Sequence, residues 1–587
     1  MARFRAPELL GSGGWIGASA DFGLAALAGK VVVLHFWRSS SINCVRVLDE
    51  LRPIEERFAA EAVVLGIHSP KFPREHEHTA VERAVERLGI RHPVLDDPDL
   101  ATWQQYGVKG WPTLVVIDPE GYVVGGISGE GGGSVVYASV ERTISDHDAQ
   151  GTLVRGSVAG MWGTSPVTAA FRTVSFPGKV AVEPGGRRIA VCDSGNGRIV
   201  VCDRQGRVEQ VYPLFTRPQG VAFDGDRLLV CDTGTDRVVA VDRASGIQTV
   251  IAEGLAAPWD VTVLEDRAVL VAEAGRHRLW RIPAGGGDPV VVAGTGAEDL
   301  VDGAGMGEGP AALAQPCGVA ALPGGGAAFV DAESSSLRVL TPGGEVVTLV
   351  GQGLFDWGAS DGGPDASAMQ RPLGVAVGPA GPGGLPTIYV ADTSNGRIRE
   401  WTGTAWAAGA GTLRTLPATG LEEPGGVAVL PTGELVVADT NHHQVVVVDG
   451  DQESTRPLAI DETWLGTLMG PSIAATAGEL IRVPFSFDPG RLLLDESDGP
   501  PVRVDVSAEP GTLLAAGPRR WARHEPASEL ELRAGRPGEG ILVVEVEVAV
   551  AGDVTTVLRG RTRHDLTVAP LAVPAGTAPA TTGAEAP

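Results

Sequence analysis

A hydroxyl and a thiol stand three residues apart in the segment Ser41-Ile-Asn-Cys44. The apolar run Val31-Val-Val-Leu34 precedes this segment, and apolar residues at helical spacing follow it. The pattern predicts a β-strand, a polar turn and an amphipathic helix, with Cys44 near the start of the helix. In a Cys-x-x-Cys pair at a helix start the first cysteine attacks as a thiolate, and the second, which is normally more buried, resolves the mixed disulfide. Cys44 stands at the second of these positions, where burial raises a thiol pKa. It is the candidate catalytic thiol, with Ser41 as the hydroxyl beside it.

Alternating strand and helix patterns surround this segment from residue 1 to 145. Strands are predicted over 31–37 and 63–68, helices over 44–60 and 75–88, and a short helix over 97–106 before a strand that begins at Thr113. Alternation of this kind predicts a mostly parallel sheet that is covered by helices. We expect residues 1–145 to form the first domain.

The strand end Phe36-Trp37 with the polar turn after it resembles the active-site corner of the thioredoxin fold, and Trp111-Pro112-Thr113 supplies a second signature. The resemblance implies that the peptide bond before Pro112 is cis and that this proline faces the active-site turn. Cis bonds are found at only about 5–6% of X–Pro pairs in folded proteins, so their surroundings must hold them. The active-site frame implied by the resemblance consists of Trp37, Asn43, Trp111, Pro112 and Thr113.

A repeated unit occupies residues 171–455. Each copy reads Pro-x-Gly-Val-Ala, a turn, an apolar strand that ends in an acid, five variable residues and a second apolar strand. The copies start at Pro177, Pro218, Pro258, Pro316, Pro372 and Pro424, and their acids are Asp193, Asp232, Glu273, Asp331, Asp392 and Asp439. The unit resembles the NHL repeat, and six copies predict a six-bladed β-propeller that closes into a ring.

Two features of the repeat predict structure, namely the residue five positions after each acid and the inserts in the fourth and fifth copies. Five residues after the acid, the copies carry Arg198, Arg237, Arg278, Ser336, Arg397 and Gln444, which predicts an acid–cation pair inside most blades. The fourth and fifth copies carry similar inserts after Gly294 and Gly351, which we expect to be duplicated surface loops.

Binding is expected where the repeat departs from its own pattern. Lys179 and Asp260 replace the usual glycine of Pro-x-Gly-Val, and Trp259 lies beside Asp260. If the innermost strand of each blade begins here, the channel mouth is formed by Lys179, Arg217, Trp259, Asp260, Arg371 and Glu423. A polar funnel with an aromatic edge favours a small polar ligand or a protein segment as partner.

The remaining segments complete the domain order. Residues 146–170 are predicted to be a linker, and residues 456–569 a small all-β sandwich because their apolar residues alternate with polar ones. Residues 570–587 contain mainly Ala, Pro, Thr and Gly, which predicts a disordered tail. The fold class is therefore multidomain: an α/β thioredoxin-like fold, an all-β six-bladed NHL propeller and a small all-β sandwich.

Composition excludes several classes of function. The net charge of −25 and the pI near 4.9 disfavour nucleic acid and anionic membranes as partners. No apolar run approaches the roughly 18 residues of a membrane span, and five cysteines are too few for a disulfide scaffold. We expect a cytoplasmic protein with reduced thiols and no cofactor. No metal site is expected either, because His277, His442 and His443 fall in variable turns.

The order of the three domains resembles the NHL-repeat-containing protein 2 family, whose members are thioredoxin-fused propellers. Familiar members carry Cys-Ile-Asn-Cys where this chain has Ser41-Ile-Asn-Cys44. The resemblance implies a role in cell redox homeostasis or protein binding. Ser41 cannot form a disulfide, however, so dithiol exchange within this pair is excluded.

Three interpretations of Cys44 stay open at this point. Ser41 caps the helix and Cys44 packs silently under it; or the hydroxyl and thiol act on peroxide, as in peroxiredoxins; or Cys44 forms mixed disulfides as a monothiol. We predict a protein- or ligand-binding scaffold without dithiol activity. The alternative is an enzyme, a Cys44-dependent thiol oxidoreductase or peroxidase.

Overall fold

Seven strands and four α-helices build the N-terminal domain of the computed structural model, which describes residues 3–129, 131–156, 172–307, 309–450, 455–460, 464–469, 473–477, 479–486, 502–509, 511–515, 519–523, 527–534, 536–550 and 556–569. The strands are β1 Phe4–Arg5, β2 Gly14–Ile16, β3 Val31–Trp37, β4 Ala62–His68, β5 Val94–Asp96, β6 Thr113–Ile117 and β7 Tyr122–Ser128. The helices are α1 Ile42–Arg57, α2 His78–Leu88, α3 Ala101–Gln105 and α4 Gly133–Gln150.

The strands of this domain form one sheet in the order β1-β7-β6-β3-β4-β5-β2. β3 is central; it pairs in parallel with β4 and antiparallel with β6. Because side chains alternate across a strand, β3 sends Val31 and Val33 to one apolar cluster and Leu34 and Phe36 to another. The active-site turn leaves the end of this fully buried strand. The thioredoxin-like fold predicted from the sequence is therefore confirmed. The prediction of a mostly parallel sheet was wrong, because only the β3–β4 and β4–β5 pairings are parallel and the other four are antiparallel.

α4 continues past residue 145, where the sequence analysis ended the first domain. It runs to Gln150, and the chain after it still bonds to the domain: Val154 N donates to Gly29 O over 2.8 Å and Gly156 N to Ala60 O over 3.1 Å. The first part of the predicted linker, up to residue 156, thus packs on the N-terminal domain. The rest of that linker, residues 157–170, lies outside the described residues.

Six antiparallel sheets follow, one for each predicted copy of the repeat. Their strands are β8 Pro177–Val182, β9 Arg188–Asp193, β10 Arg198–Asp203 and β11 Val208–Tyr212 in blade 1; β12 Gly220–Asp224, β13 Arg227–Asp232, β14 Arg237–Asp242 and β15 Gln248–Glu253 in blade 2; β16 Pro258–Val263, β17 Val269–Glu273, β18 Arg278–Ile282 and β19 Val290–Ala293 in blade 3.

Blade 4 has five strands and the last two blades have four. They are β20 Gly303–Ala304, β21 Pro316–Ala321, β22 Ala327–Asp331, β23 Ser336–Leu340 and β24 Glu345–Val350 in blade 4; β25 Gly374–Ala380, β26 Pro386–Asp392, β27 Arg397–Gly403 and β28 Gly411–Thr415 in blade 5; β29 Pro424–Val429, β30 Leu435–Asp439, β31 Gln444–Val448 and β32 Thr455–Pro457 in blade 6. The innermost strands of neighbouring blades, which are β8, β12, β16, β21, β25 and β29, contact one another, and β29 contacts β8, so the ring closes. The six-bladed propeller is confirmed.

The acid of each blade is paired, but in half of the blades the partner is not the residue five positions after the acid. The offset of five residues holds for Asp193–Arg198 and Asp232–Arg237, and Gln444 donates to Asp439. In blade 3 the Glu273 carboxylate accepts a hydrogen bond from the indole N–H of Trp280 and forms a salt bridge with the Arg276 guanidinium. The predicted pair was wrong for Arg278 in blade 3 and for Arg397 in blade 5, and none was predicted in blade 4, where Ser336 stands at the fifth position.

Blades 4 and 5 pair their acid with an arginine seven residues later. Arg338 lies 2.8 Å from Asp331, and Arg399 lies 2.7 Å from Asp392. Both guanidinium groups are fully buried, and both also reach the inserts: Arg338 bonds Asp302, and Arg399 bonds Asp361. The two inserts are thus anchored in the same way, which agrees with the predicted duplication.

The C-terminal strands form a separate compact unit. They are β33 Trp464–Met469, β34 Ile473–Thr476, β35 Leu480–Ser486, β36 Val502–Glu509, β37 Arg519–Arg523, β38 Ala527–Arg533, β39 Gly538–Val550 and β40 Thr556–Ala569. One sheet has the order β33-β40-β39-β36-β37 with β34 also on β40, and β35 pairs with β38. The unit is all-β, as predicted. The tail predicted over 570–587 lies outside the described residues.

None of the helices in the described ranges is long and apolar enough to cross a membrane.

Candidate functional site

The polar turn after β3 positions Ser41 and Cys44. Ser41 is the N-cap of α1: its backbone is extended, and its hydroxyl accepts a hydrogen bond from Cys44 N over 3.2 Å. A serine N-cap stabilises a helix by about 1 kcal/mol relative to alanine. The hydroxyl that sequence reasoning considered as a peroxide ligand is thus engaged as a helix cap.

Cys44 lies inside the N-terminal domain. Its side chain is 0% exposed and packs in an apolar cluster with Trp37, Leu48, Val81 and Val94. Burial raises the pKa of the Cys44 thiol to about 11, although the positive charge of Arg38 acts in the opposite direction. All five cysteines are free and buried. Cys44 is therefore a protonated, sequestered thiol at neutral pH.

The peptide bond between Trp111 and Pro112 is cis, as the resemblance implied. Trp111 packs against Trp103 with 4.5 Å between ring centroids, and the Arg38 guanidinium lies 5.2 Å from the Trp111 ring. The Thr113 hydroxyl donates to Gly110 O over 2.7 Å. Trp111 is half-buried, and its indole N–H has no hydrogen-bond partner among the described residues.

Glu75, which the sequence analysis did not single out, organises the turn. Its carboxylate accepts hydrogen bonds from Ser40 N over 2.9 Å and from the Ser39 hydroxyl over 3.2 Å. It also accepts from Lys71 N and Phe72 N in the loop before α2. Burial alone would raise the pKa of Glu75, but the charge of Arg38 and these donors lower it to about 2. Glu75 is thus a buried anion that fixes the conformation of the turn.

The propeller covers this turn. Ile42, the residue between Ser41 and Asn43, is 2% exposed because it packs among Ala257, Ala274, Cys317, Ala332 and Leu373 of the propeller. Ile42 N faces the Gln315 side-chain oxygen at 3.4 Å, and the Arg371 Nε donates to Ser40 O over 3.1 Å. The N-terminus of α1 is therefore docked on the channel side of the propeller.

Ion pairs surround the docked turn. The buried pair between Arg38 and Glu333 has 2.5 Å between nitrogen and oxygen, and Lys71 also bonds Glu333. The other pairs between the N-terminal domain and the propeller are Arg46–Asp236, Asp49–Arg217, Arg74–Glu422, Arg87–Glu423 and Glu86–Arg172. Burial with hydrogen-bonded partners on both sides makes the Arg38–Glu333 pair the most sensitive of these to loss of one member.

A cavity of about 370 Å³ remains between the first turn of α1 and the propeller. Four of the six residues predicted at the channel mouth line it: Arg217, Trp259, Arg371 and Glu423. Lys179 and Asp260 do not. They are buried in the inner strands, where Lys179 donates to Gly425 O over 2.8 Å and Asp260 accepts from Val319 N over 3.0 Å. Both satisfy backbone groups, and they belong to the channel wall.

Burial raises the pKa of Asp260 to about 6, while the charge of Lys179 acts against this shift. Of the frame residues, Asn43 is half-buried, and its side-chain oxygen has no hydrogen-bond partner in the described part of the chain. Trp37 is fully buried beside His68. The frame residues thus pack around Cys44 and the turn, and the charged residues of the mouth lie across the cavity from α1.

Sequence reasoning missed three residues that join the two domains, Ile42, Gln315 and Glu333, and it missed Glu75, which fixes the turn within the N-terminal domain. Glu333 falls in the variable stretch Asp331-Ala-Glu-Ser-Ser-Ser336, where other copies carry Gly or Asn, and that departure could have marked it. No signal in the sequence would have identified Glu75 or Gln315.

Asp118, Glu120 and His147 form one group of potential metal ligands among the described residues. The guanidinium of Arg3 lies 2.7 Å from Asp118 and 2.8 Å from Glu120, so a side-chain cation already holds this position. The histidines of the propeller turns have protein partners. His442 bonds Asp439, and His443 accepts from Phe176 N.

Comparisons with known proteins match this architecture. The thioredoxin-like family profile matches residues 29–123, and the NHL repeat profile matches residues 421–448. NHL repeat-containing protein 2 of Gallus gallus is 29% identical over 514 residues, which is 76% of this chain and 70% of that protein. The protein of the same name from Bos taurus is 28% identical and covers 83% of this chain and 74% of its own length.

Protein SUPPRESSOR OF QUENCHING 1, chloroplastic, of Arabidopsis thaliana is 30% identical over 488 residues. The match covers 72% of this chain but only 44% of that protein. The likeness to all three relatives extends well beyond either domain alone.

Proposed function

Because the chain resembles the NHL repeat-containing protein 2 family along most of its length, we propose that it is a binding protein whose site lies between the redoxin-like domain and the propeller mouth. The redoxin-like domain serves in this proposal as one wall of the site. It does not carry out dithiol exchange, because position 41 holds a serine.

One observation carries the proposal: the turn that would perform thiol chemistry is the surface that docks on the propeller. Ser41 and Ile42 are each 2% exposed, and Ile42 is packed among propeller side chains. A thiol–disulfide reaction requires access of a substrate sulfur to the attacking thiolate. With Cys44 buried and its pKa raised to about 11, neither access nor a substantial thiolate fraction is present at neutral pH.

The cavity supports a binding role. Its lining combines apolar side chains with charged and uncharged polar ones, and its volume of about 370 Å³ lies at the small end of the range of about 300–1,000 Å³ that is usual for small-ligand sites. A small polar ligand is therefore favoured over a protein segment as the occupant. The predicted cytoplasmic location stays a prediction.

Native-state thiol chemistry tests this proposal. We expect iodoacetamide to label Cys44 only after unfolding in urea, as judged by mass spectrometry of the peptide that carries it. We also expect no difference in peroxide consumption with dithiothreitol between the wild type and Cys44→Ser. Rapid alkylation of native Cys44, or peroxide consumption that disappears in Cys44→Ser, would instead establish the thiol enzyme.

A further inference from the structure

Arg371 has unused hydrogen-bonding capacity at the cavity. Its side chain is 94% buried, and its Nε donates to Ser40 O. The terminal nitrogens Nη1 and Nη2 make no hydrogen bond, and the guanidinium forms no salt bridge with the described residues. Arg371 lines the cavity, and its Nη1 and Nη2 atoms are not among the fully buried polar atoms of the protein. They therefore face the cavity space.

A buried guanidinium without an anion is costly, because burial removes water from the charge. At Arg371, burial lowers the pKa of the guanidinium because it disfavours the charged form, and the nearby charge of Glu423 acts in the opposite direction. A ligand anion on the two free nitrogens would complete the bidentate arrangement that arginine makes with planar oxyanions.

The other cations of the cavity already have carboxylate partners. Arg46 lies 2.7 Å from Asp236, Arg87 lies 2.7 Å from Glu423, and Arg217 pairs with Asp49. The remaining acid, Glu50, accepts hydrogen bonds from Gly131 N and Gly133 N at the start of α4. Arg371 is thus the one arginine of the cavity lining without a carboxylate of the described residues at hydrogen-bond distance, and its two free nitrogens offer a site for one planar anion.

The rest of the lining is partly apolar and partly uncharged polar, with hydroxyl or amide side chains at Ser39, Ser41, Ser194, Gln219, Thr233, Thr393 and Thr440. Ile42, Val45, Leu88, Phe176, Trp259 and Leu373 contribute to the walls. The first turn of α1 also faces the cavity, and the positive end of the helix dipole favours an anion there. The partly exposed side chains of Arg46, Asp49 and Arg217 show where the cavity rim meets solvent.

From this arrangement we infer that the cavity binds a small organic monocarboxylate, with the carboxylate on Arg371 and an apolar body against Trp259, Ile42 and Leu373. This inference rests on the proposed binding function and specifies its ligand class. A single planar anion matches the one unpaired guanidinium. An apolar body matches the apolar cluster that Ile42, Leu373 and Trp259 form at the cavity.

Isothermal titration with matched probes tests the ligand class on the full-length protein. Sodium benzoate supplies a planar monocarboxylate, benzamide has the same shape without charge, and inorganic phosphate has charge without an apolar body. Ionic strength is held constant with sodium chloride. We expect the Kd for benzoate to be at least tenfold lower than the Kd for benzamide or phosphate, because a hydrogen-bonded ion pair contributes about 1.5–3 kcal/mol.

Variants locate the site. Arg371→Gln should raise the Kd for benzoate at least tenfold and leave weak benzamide binding unchanged. Arg371→Lys, which keeps the charge but loses the planar fork, should retain part of the preference. Arg207→Gln is the matched control, because Arg207 is 81% exposed and pairs with Asp203 away from the cavity. Circular dichroism establishes that each variant is folded.

The outcomes separate this inference from the proposed function. Equal affinity for benzoate and benzamide, tighter binding of phosphate, or no binding of benzoate would overturn the monocarboxylate assignment while leaving the buried Cys44 untouched. An unchanged benzoate Kd in a folded Arg371→Gln variant would also overturn it. If Arg371→Gln does not fold, the monocarboxylate assignment is decided by the ratio of the Kd values for benzoate and benzamide in the wild type and by the change of that ratio in Arg371→Lys. Failure of the proposed function would appear separately, as native reactivity of Cys44.

Discussion

The guanidinium of Arg38, in the turn that follows β3, lies 2.5 Å from the carboxylate of Glu333 in blade 4, and both side chains are buried. Arg38 also donates to the Ser40 hydroxyl, and Lys71 gives Glu333 a second cationic partner. Burial alone would raise the pKa of Glu333, but these two cations lower it. The pair therefore joins the active-site turn to the propeller as an ionised bridge.

Removal of one member of this bridge should release the docked turn. We expect Arg38→Gln to reduce the free energy of unfolding by about 3–5 kcal/mol, because it leaves Glu333 buried with less compensation. A cysteine placed at the docked position by Ser41→Cys, in a Cys44→Ala background, reports the release. Its alkylation rate in the native state should rise at least tenfold when Arg38→Gln is added.

Arg3→Gln is the control for this experiment, because Arg3 is 51% exposed and pairs with Asp118 and Glu120 within the N-terminal domain. Equal effects of Arg38→Gln and Arg3→Gln on the alkylation rate would show that the buried bridge does not hold the turn.

Restoring the missing thiol should not restore activity. The single substitution Ser41→Cys recreates the pattern Cys-x-x-Cys, but position 41 is 2% exposed beneath the propeller. We therefore expect no insulin-reductase turnover above background at pH 7. The substitution should also cost about 1 kcal/mol of stability through loss of the serine N-cap on α1. Multiple turnovers by Ser41→Cys would contradict the docked arrangement.

The burial of Cys44 predicts a dependence of stability on pH. The unfolded thiol loses its proton near pH 9, whereas the folded thiol has a pKa raised to about 11 by burial. Between these values the unfolded state has released the proton and the folded state retains it, so the contribution of Cys44 to stability falls as pH rises from 9 to 11. Cys44→Ala removes this titration.

The measurement compares thermal unfolding of the wild type and Cys44→Ala at pH 8 and pH 10.5. Cys44→Ala should be less stable at pH 8, because it leaves a cavity in the core. The difference in Tm between the two proteins should narrow at pH 10.5. A constant difference would indicate that the folded thiol ionises as readily as the unfolded one.

Arginines seven residues after the blade acid should contribute more to the stability of the propeller than arginines five residues after it. Arg399→Ala leaves Asp392 and the insert residue Asp361 without their guanidinium, and we expect a loss of about 3–5 kcal/mol. Arg397→Ala, two residues away, removes one exposed hydrogen bond to Ala359 O and should change stability by no more than about 0.5 kcal/mol. Urea unfolding of the two variants tests this contrast.

Limited proteolysis adds a local readout. Thermolysin should cut the insert over 351–371 faster in Arg399→Ala than in wild type, because the backbone contacts of Arg399 to Ser360 and Ala368 are lost. Cleavage at equal rates in both proteins would show that the insert is held by other contacts.

Local patterns were enough to predict the fold. β3 and the helix after it follow from periodicity, and the six blades follow from a repeated short unit. The cis peptide bond before Pro112 was implied by the resemblance to the thioredoxin fold. The acid–cation pair was predicted correctly in kind but not in register for Arg338 and Arg399. On a strand, residues five and seven positions after the acid share a face, so sequence spacing alone could not choose between them.

The sequence by itself determined the domain order and the loss of the dithiol pair, because element patterns and residue identities at 41 and 44 are local properties. Only the tertiary structure decided that the turn faces the propeller, that Glu75 and Glu333 hold it, and that Arg371 is left unpaired at a cavity. Arg38 and Glu333 are 295 residues apart in the chain. Contacts over such separations depend on how two completed domains pack, and no pattern within either domain records that packing.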